Sequence, residues 1–161
     1  MKDGSPHSRN LRKGRFSEPG RIYFVTSSCY NRQKVFSDDR AAKILITEFF
    51  RIGEDEISDN LAFVVMPDHF HWLVKLNGGS SLSQAVRLVK GRSARSINRG
   101  RAQAKRVWEP GFHDHALRKE EDIETLANYL IQNPLRAGLV KTTGEYPHWW
   151  SVWRSVPDCR G

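Results

Sequence analysis

A mixed α+β fold in the order strand, helix, strand, strand, helix, strand is predicted for this chain, and three observations carry the prediction. Ile22-Tyr23-Phe24-Val25-Thr26, Leu61 to Met66 and His69 to Leu76 are short runs rich in β-branched, aromatic or aliphatic residues, as strands are. Ala41, Ile44, Leu45 and Phe49, and later Leu82, Ala85, Val86 and Val89, recur at helical spacing. Turn residues punctuate the boundaries: Asn31-Arg32, Pro67-Asp68 and Asn77-Gly78-Gly79.

The 161 residues suit one domain with a real core, and 39% hydrophobic with 11% aromatic content excludes a disordered chain. A formal charge of +8 points to a polyanionic partner. Two cysteines, Cys29 and Cys159, give no disulfide framework. No secretion signal or membrane-spanning run is present, so a soluble cytoplasmic protein is expected.

In chain order, residues 1–20 read as a flexible basic arm whose Arg12, Lys13 and Arg15 either lie along phosphates or are simply solvated. The first strand follows within Arg21 to Cys29. Ser37-Asp38-Asp39 resembles a helix start, and the helix runs to about Ile52. Leu61 to Met66 is almost wholly apolar, as in a strand buried on both faces. In the next strand His69 and His71 project to one face while Phe70 and Trp72 point to the other. Two neutral imidazoles side by side make half of a metal site, although one of them as a packed core residue is the blander reading.

A second helix, from Ser81 or Ser83 to about Ile97, opens a stretch without any Asp or Glu between His69 and Trp108. Arg87, Lys90, Arg92, Arg95, Arg99, Lys105 and Arg106 make it a one-signed surface beside the candidate site, suited to a nucleic-acid backbone. Val107 to Arg118 reads as a short strand, a turn and another strand, and contains a second pair, His113 and His115, ranked below the first because turn residues and an acid surround it. A third helix starts near Lys119-Glu120-Glu121-Asp122 and runs to Asn133, where Pro134 stops it. On it Tyr129 and Asn133 fall on one edge of the apolar stripe, with Gln132 turned further away. By periodicity alone Tyr129 is a boundary tyrosine and Asn133 a helix-ending residue. Residues 21–140 read as the single domain and 141–161 as a tryptophan-rich tail that caps the core or stacks on bases.

Three segments then combine: Met66-Pro67-Asp68-His69-Phe70-His71-Trp72, Trp108-Glu109-Pro110-Gly111-Phe112-His113-Asp114-His115-Ala116-Leu117-Arg118 and Tyr129-Leu130-Ile131-Gln132-Asn133-Pro134-Leu135-Arg136-Ala137-Gly138-Leu139-Val140. In that order they resemble the signatures of the REP-associated tyrosine transposases, IS200-like members of the single-tyrosine HUH nucleases (His, hydrophobic residue, His). The similarity covers roughly residues 15 to 153, with Asp68 standing where Asn is more usual and the tryptophan-rich end departing from the pattern.

The resemblance implies a ferredoxin-like fold with a central antiparallel sheet, helices packed on it, and the tyrosine on a C-terminal helix. It implies a metal-dependent endonuclease and strand transferase acting on single-stranded DNA of REP-type hairpins. Tyr129 would be the nucleophile, forming a 5′-phosphotyrosine, and His69, His71 and a third side chain would hold the ion. Asn133 is preferred as that third ligand over Gln132. Imidazoles plus an amide accept Zn, Mn or Ni; the resemblance and a phosphate substrate favour Mg²⁺ or Mn²⁺. A monomer is suggested, though dimers occur among relatives. The competing readings are a replication-initiator-like HUH nickase, a non-catalytic DNA- or RNA-binding regulator of repeats, and, last, a zinc hydrolase that would leave Tyr129 idle.

Overall fold

The computed structural model describes residues 20–118 and 121–154. The expected arm, with Arg12, Lys13 and Arg15, lies outside the described residues. Strand β1 (Ile22–Ser28) leads through short turns to helix α1 (Asp39–Glu54), then β2 (Ser58–Met66), β3 (His69–Leu76), helix α2 (Leu82–Asn98), β4 (His113–Ala116), helix α3 (Ile123–Ile131), the short helix α4 (Asn133–Arg136) and β5 (Trp149–Ser151). The strands form one antiparallel sheet in the order β4-β1-β3-β2-β5. Its first four members are the expected ferredoxin-like arrangement.

Local chemistry explains the helix ends. Asp38 caps α1 by accepting from the Arg40 N–H at 3.0 Å. Ser81 and Gln84 close a reciprocal capping box at the start of α2, and Asp122 accepts from the Thr125 N–H at α3. The expected β2 began at Leu61; the strand starts at Ser58, with a bulge between Asn60 and Ala62. Half-buried Asn60 is satisfied on both sides: its amide donates to the Phe49 carbonyl and its oxygen accepts from the Trp72 indole, both at 2.8 Å.

Two cores sandwich the sheet. On one face α1 and α2 cover Phe63, Phe70, Trp72 and Val74; on the other, α3 covers Ala62, Val64, Met66 and Leu73 with Ala127, Leu130 and Ile131. The period of two along β3 thus sends Phe70 and Trp72 to the first core and leaves His69 and His71 on the second face.

Three sequence expectations change. The first strand within 107–118 reduces to a single bridge between Cys29 and Trp108. The expected tail supplies β5: Trp149 pairs with Val64 and is buried, and the Tyr146 hydroxyl donates to the Val65 carbonyl at 2.5 Å. The third helix ends at Ile131, not Asn133. Pro134 has no N–H to offer the Leu130 carbonyl, so the chain breaks at Gln132 (φ −86°, ψ 2°) and Pro134 enters the first turn of α4 instead.

Candidate active site

His69 and His71 alternate with core residues on β3, and their rings lie 4.8 Å apart, centroid to centroid, on the face that α3 partly covers. Each ring is held by its Nδ1. His69 Nδ1 is 2.7 Å from Asp68 Oδ1, and His71 Nδ1 is 2.8 Å from Thr26 Oγ1 across the β1–β3 pairing. A carboxylate accepts only, so Nδ1 of His69 donates and Nε2 keeps its lone pair in the neutral ring. Neither Nε2 has a hydrogen-bond partner among the described residues. Burial, followed by the charges of His69, Arg136 and Arg32, pushes His71 down to about 3, so its ring is neutral at physiological pH.

Asp68 is tied on its other oxygen to Arg32, whose Nε lies 3.1 Å away. Its pKa falls below the ordinary carboxylate value: burial, which acts upward, is outweighed by the bonds from His69 and Arg32. Arg32 also donates to Ser28 Oγ at 3.1 Å, yet its side chain is 60% exposed. It sits with Asn31 in left-handed backbone, both at φ 54°.

Tyr129 stands on the outward side of α3 with 56% of its surface exposed. Arg136 folds back over it: the guanidinium carbon lies 3.6 Å from the ring centroid and its NH1 donates to the Tyr129 carbonyl at 2.8 Å. Helix α3 lies over β2 and β5, so the half-buried imidazoles on β3 are at its flank and not directly beneath it. Gln132 and Asn133 are both half-buried at the break between α3 and α4, so the one-turn alignment expected for Tyr129 and Asn133 does not come from a continuous helix.

The donor set suits a divalent ion. Two imidazoles with their Nδ1 atoms tied back suit a metal ligand pair. Among the described residues no three His, Cys, Asp or Glu side chains form a cluster, so a further ligand from among them would be of another type, such as the amides of Asn133 or Gln132.

His113 and His115 occupy the same sheet face, because Thr26 is paired with His71 on one side and with His113 on the other. Two strand spacings, about 9.5 Å, separate the backbones of the two pairs. Both rings of the second pair are exposed, and His115 Nε2 meets Glu121 at 3.2 Å.

The basic stripe lies elsewhere than expected: α2 packs on the opposite face of the sheet from the histidines. Arg87, Lys105 and Arg106 rim a groove of about 520 Å³ whose apolar floor includes Trp108 and Phe112. Lys90 is spent inside, donating to the carbonyls of Glu109 (2.8 Å) and Gly111 (2.5 Å), and Arg92 pairs with Asp55 at 3.3 Å. Arg95 and Arg99 are exposed. The residues that sequence reasoning missed are Thr26, Arg32 and Arg136. The stretches Tyr23-Phe24-Val25-Thr26 and Asn133-Pro134-Leu135-Arg136, both similar to the family, carried a signal for Thr26 and Arg136; nothing marked Arg32.

A family profile described as "Transposase IS200 like" matches residues 21–133. The chain is 25% identical over 134 residues to the REP-associated tyrosine transposase of Escherichia coli (strain K12), covering 83% of this chain and 78% of that one. A solved structure of a REP-associated tyrosine transposase bound to a REP hairpin superposes with a TM-score of 0.70 at 24% identity, covering 84% of this chain and 79% of the other. Among the described residues no helix is long and apolar enough to cross a membrane.

Proposed function

The chain belongs to the IS200-like transposase family, and from that premise we propose that it is a metal-dependent single-stranded DNA endonuclease and strand transferase acting on REP-type hairpins through Tyr129. The observation that carries the reading is the His69–His71 pair, both rings tied back through Nδ1, on the same sheet face over which the tyrosine-bearing helix packs. A relative named as a REP-associated tyrosine transposase and a solved structure of such a transposase bound to a REP hairpin support the substrate class.

His69, His71 and Asn133 would hold Mg²⁺ or Mn²⁺, which supplies Lewis-acid polarisation of the scissile phosphodiester when bound. The protein's own part is placement and charge. The Tyr129 oxygen attacks phosphorus and forms the tyrosyl phosphate bond as the bond from phosphorus to the 3′ oxygen breaks. The phenol proton passes to solvent, and the departing 3′ oxygen takes one up. The covalent link conserves the phosphodiester energy for reversal onto another 3′-hydroxyl. Exposure of Tyr129 suits a nucleophile that has to reach a strand laid across the protein surface. The groove rimmed by Arg87, Lys105 and Arg106 would track backbone phosphates on the far side of the sheet.

The test is incubation with end-labelled hairpin-bearing single-stranded DNA and Mn²⁺, followed by denaturing electrophoresis. A covalent adduct is expected with the wild type and absent in Tyr129→Phe and His71→Ala. Binding to several hairpins without adduct or cleavage would replace this reading with that of a non-catalytic DNA-binding regulator.

A further inference from the structure

One guanidinium group is tied to the histidine pair and a second to Tyr129. Arg32 is bound to Asp68, the carboxylate that holds His69, and Arg136 is stacked on Tyr129. We propose that Arg32 and Arg136 together bind the phosphodiester presented to Tyr129, forming an anion clamp built from the loop after β1 and from α4. The proposal rests on the reading of Tyr129 as the nucleophile.

Three observations carry it. First, both groups are held but not used up. Arg32 spends Nε on Asp68 and NH1 on Ser28, and Arg136 spends NH1 on the Tyr129 carbonyl; their other N–H groups have no partner among the described residues. A planar fork with one edge anchored and another open is pre-organised to donate to phosphate oxygens. Second, the charges do not cancel internally. Arg32 meets one carboxylate, Asp68, while Arg136 is held by the Tyr129 ring and carbonyl and pairs with no carboxylate among the described residues, so the site retains positive charge for an anion.

Third, the placement of Arg32 is maintained against backbone preference. Asn31 and Arg32 both adopt left-handed φ, which costs a non-glycine residue free energy and persists only when the surroundings enforce it. Here they do: the Asn31 N–H donates to Glu109 Oε2 at 2.7 Å, the Tyr30 N–H to the Val107 carbonyl at 2.8 Å, and Arg106 covers the Tyr30 ring at 4.8 Å. The strain has a visible result, which is to aim Arg32 at Asp68.

The experiment uses the full chain carrying Tyr129→Phe, which keeps an aromatic ring under Arg136 and prevents cleavage, in EDTA. The DNA is a hairpin oligonucleotide whose cleaved linkage has been mapped with the wild-type protein, made with either the natural phosphate or an uncharged methylphosphonate at that linkage. Anisotropy titration is expected to show Arg32→Met and Arg136→Met each weakening binding of the natural DNA about tenfold, with Arg136→Lys recovering most of the loss. On the methylphosphonate DNA the same variants are expected to match their parent within about twofold, because the charge they answer is gone. Equal losses on both DNAs would mean that the arginines act on folding or on other phosphates, and no loss on the natural DNA would mean that they touch none; either overturns the clamp. A wild-type protein that forms no covalent adduct would instead remove the reading of Tyr129, and this inference with it.

Discussion

Thr26→Val tests the tautomer and orientation of His71 directly. The substitution nearly preserves shape but deletes the hydroxyl that sits 2.8 Å from His71 Nδ1. If that hydroxyl accepts from Nδ1–H, it fixes the ring with Nε2 unprotonated and outward. Valine then leaves a part-buried N–H unpaired and lets the ring rotate or change tautomer. Removing an outer partner of a ligating histidine costs roughly 10- to 100-fold in metal affinity, equivalent to about 1.4–2.7 kcal/mol. The apo fold should lose about 1 kcal/mol, one ordinary hydrogen bond. Isothermal titration with Mn²⁺ and urea unfolding in EDTA separate the two effects, and Thr26→Ser, which keeps the hydroxyl, should stay near wild type in both. Unchanged Mn²⁺ affinity in Thr26→Val, alongside measurable binding by the wild type, would refute the argument that this bond prepares His71 as a ligand.

Two further outcomes are expected. His71 is pushed down to about 3 chiefly by burial, while in the unfolded chain it titrates near 6.5; between these values the unfolded state binds the extra proton, so stability falls as pH drops from about 6.5 toward 3. His71→Gln should flatten that dependence by up to about 1.4 kcal/mol per pH unit, read by urea unfolding in EDTA between about pH 4.5 and 7, and equal slopes in the two proteins would contradict it. Leu130 is fully buried and helps seat α3 on the second core, so Leu130→Ala should cost about 2–5 kcal/mol and reduce adduct formation by Tyr129; hydrogen exchange should show α3 deprotected, and a loss below about 1 kcal/mol would mean that the helix is anchored elsewhere.

Much of this protein is legible locally. The alternation that sends His69 and His71 to one face and Phe70 and Trp72 into the core is a property of a few consecutive residues in extended backbone, and β3 bears it out. The caps at Asp38 and Ser81 are equally local. Pro134 shows the limit of such reasoning: a proline marks a break, but the same residue that cannot continue α3 is well suited to the first turn of α4, and the stop therefore falls two residues earlier than expected.

The sequence by itself determined the order of the first six strands and helices, β1 to β4 with α1 and α2, the paired imidazoles and the family motifs. Tertiary structure alone decided what surrounds them. The strand order β4-β1-β3-β2-β5 puts Thr26 against His71 and brings His113 and His115 to the same face, while α2 carries its basic stripe to the other. It also makes Trp149 part of an edge strand. Arg32 reaches Asp68 from a strained loop, and Arg136 turns back onto Tyr129 because the chain breaks at Gln132. Periodicity fixes the direction of a side chain relative to its own element. Which groups meet depends on how elements distant in sequence dock, and that is settled by the burial of whole faces against one another, a sum over many contacts that no short stretch contains.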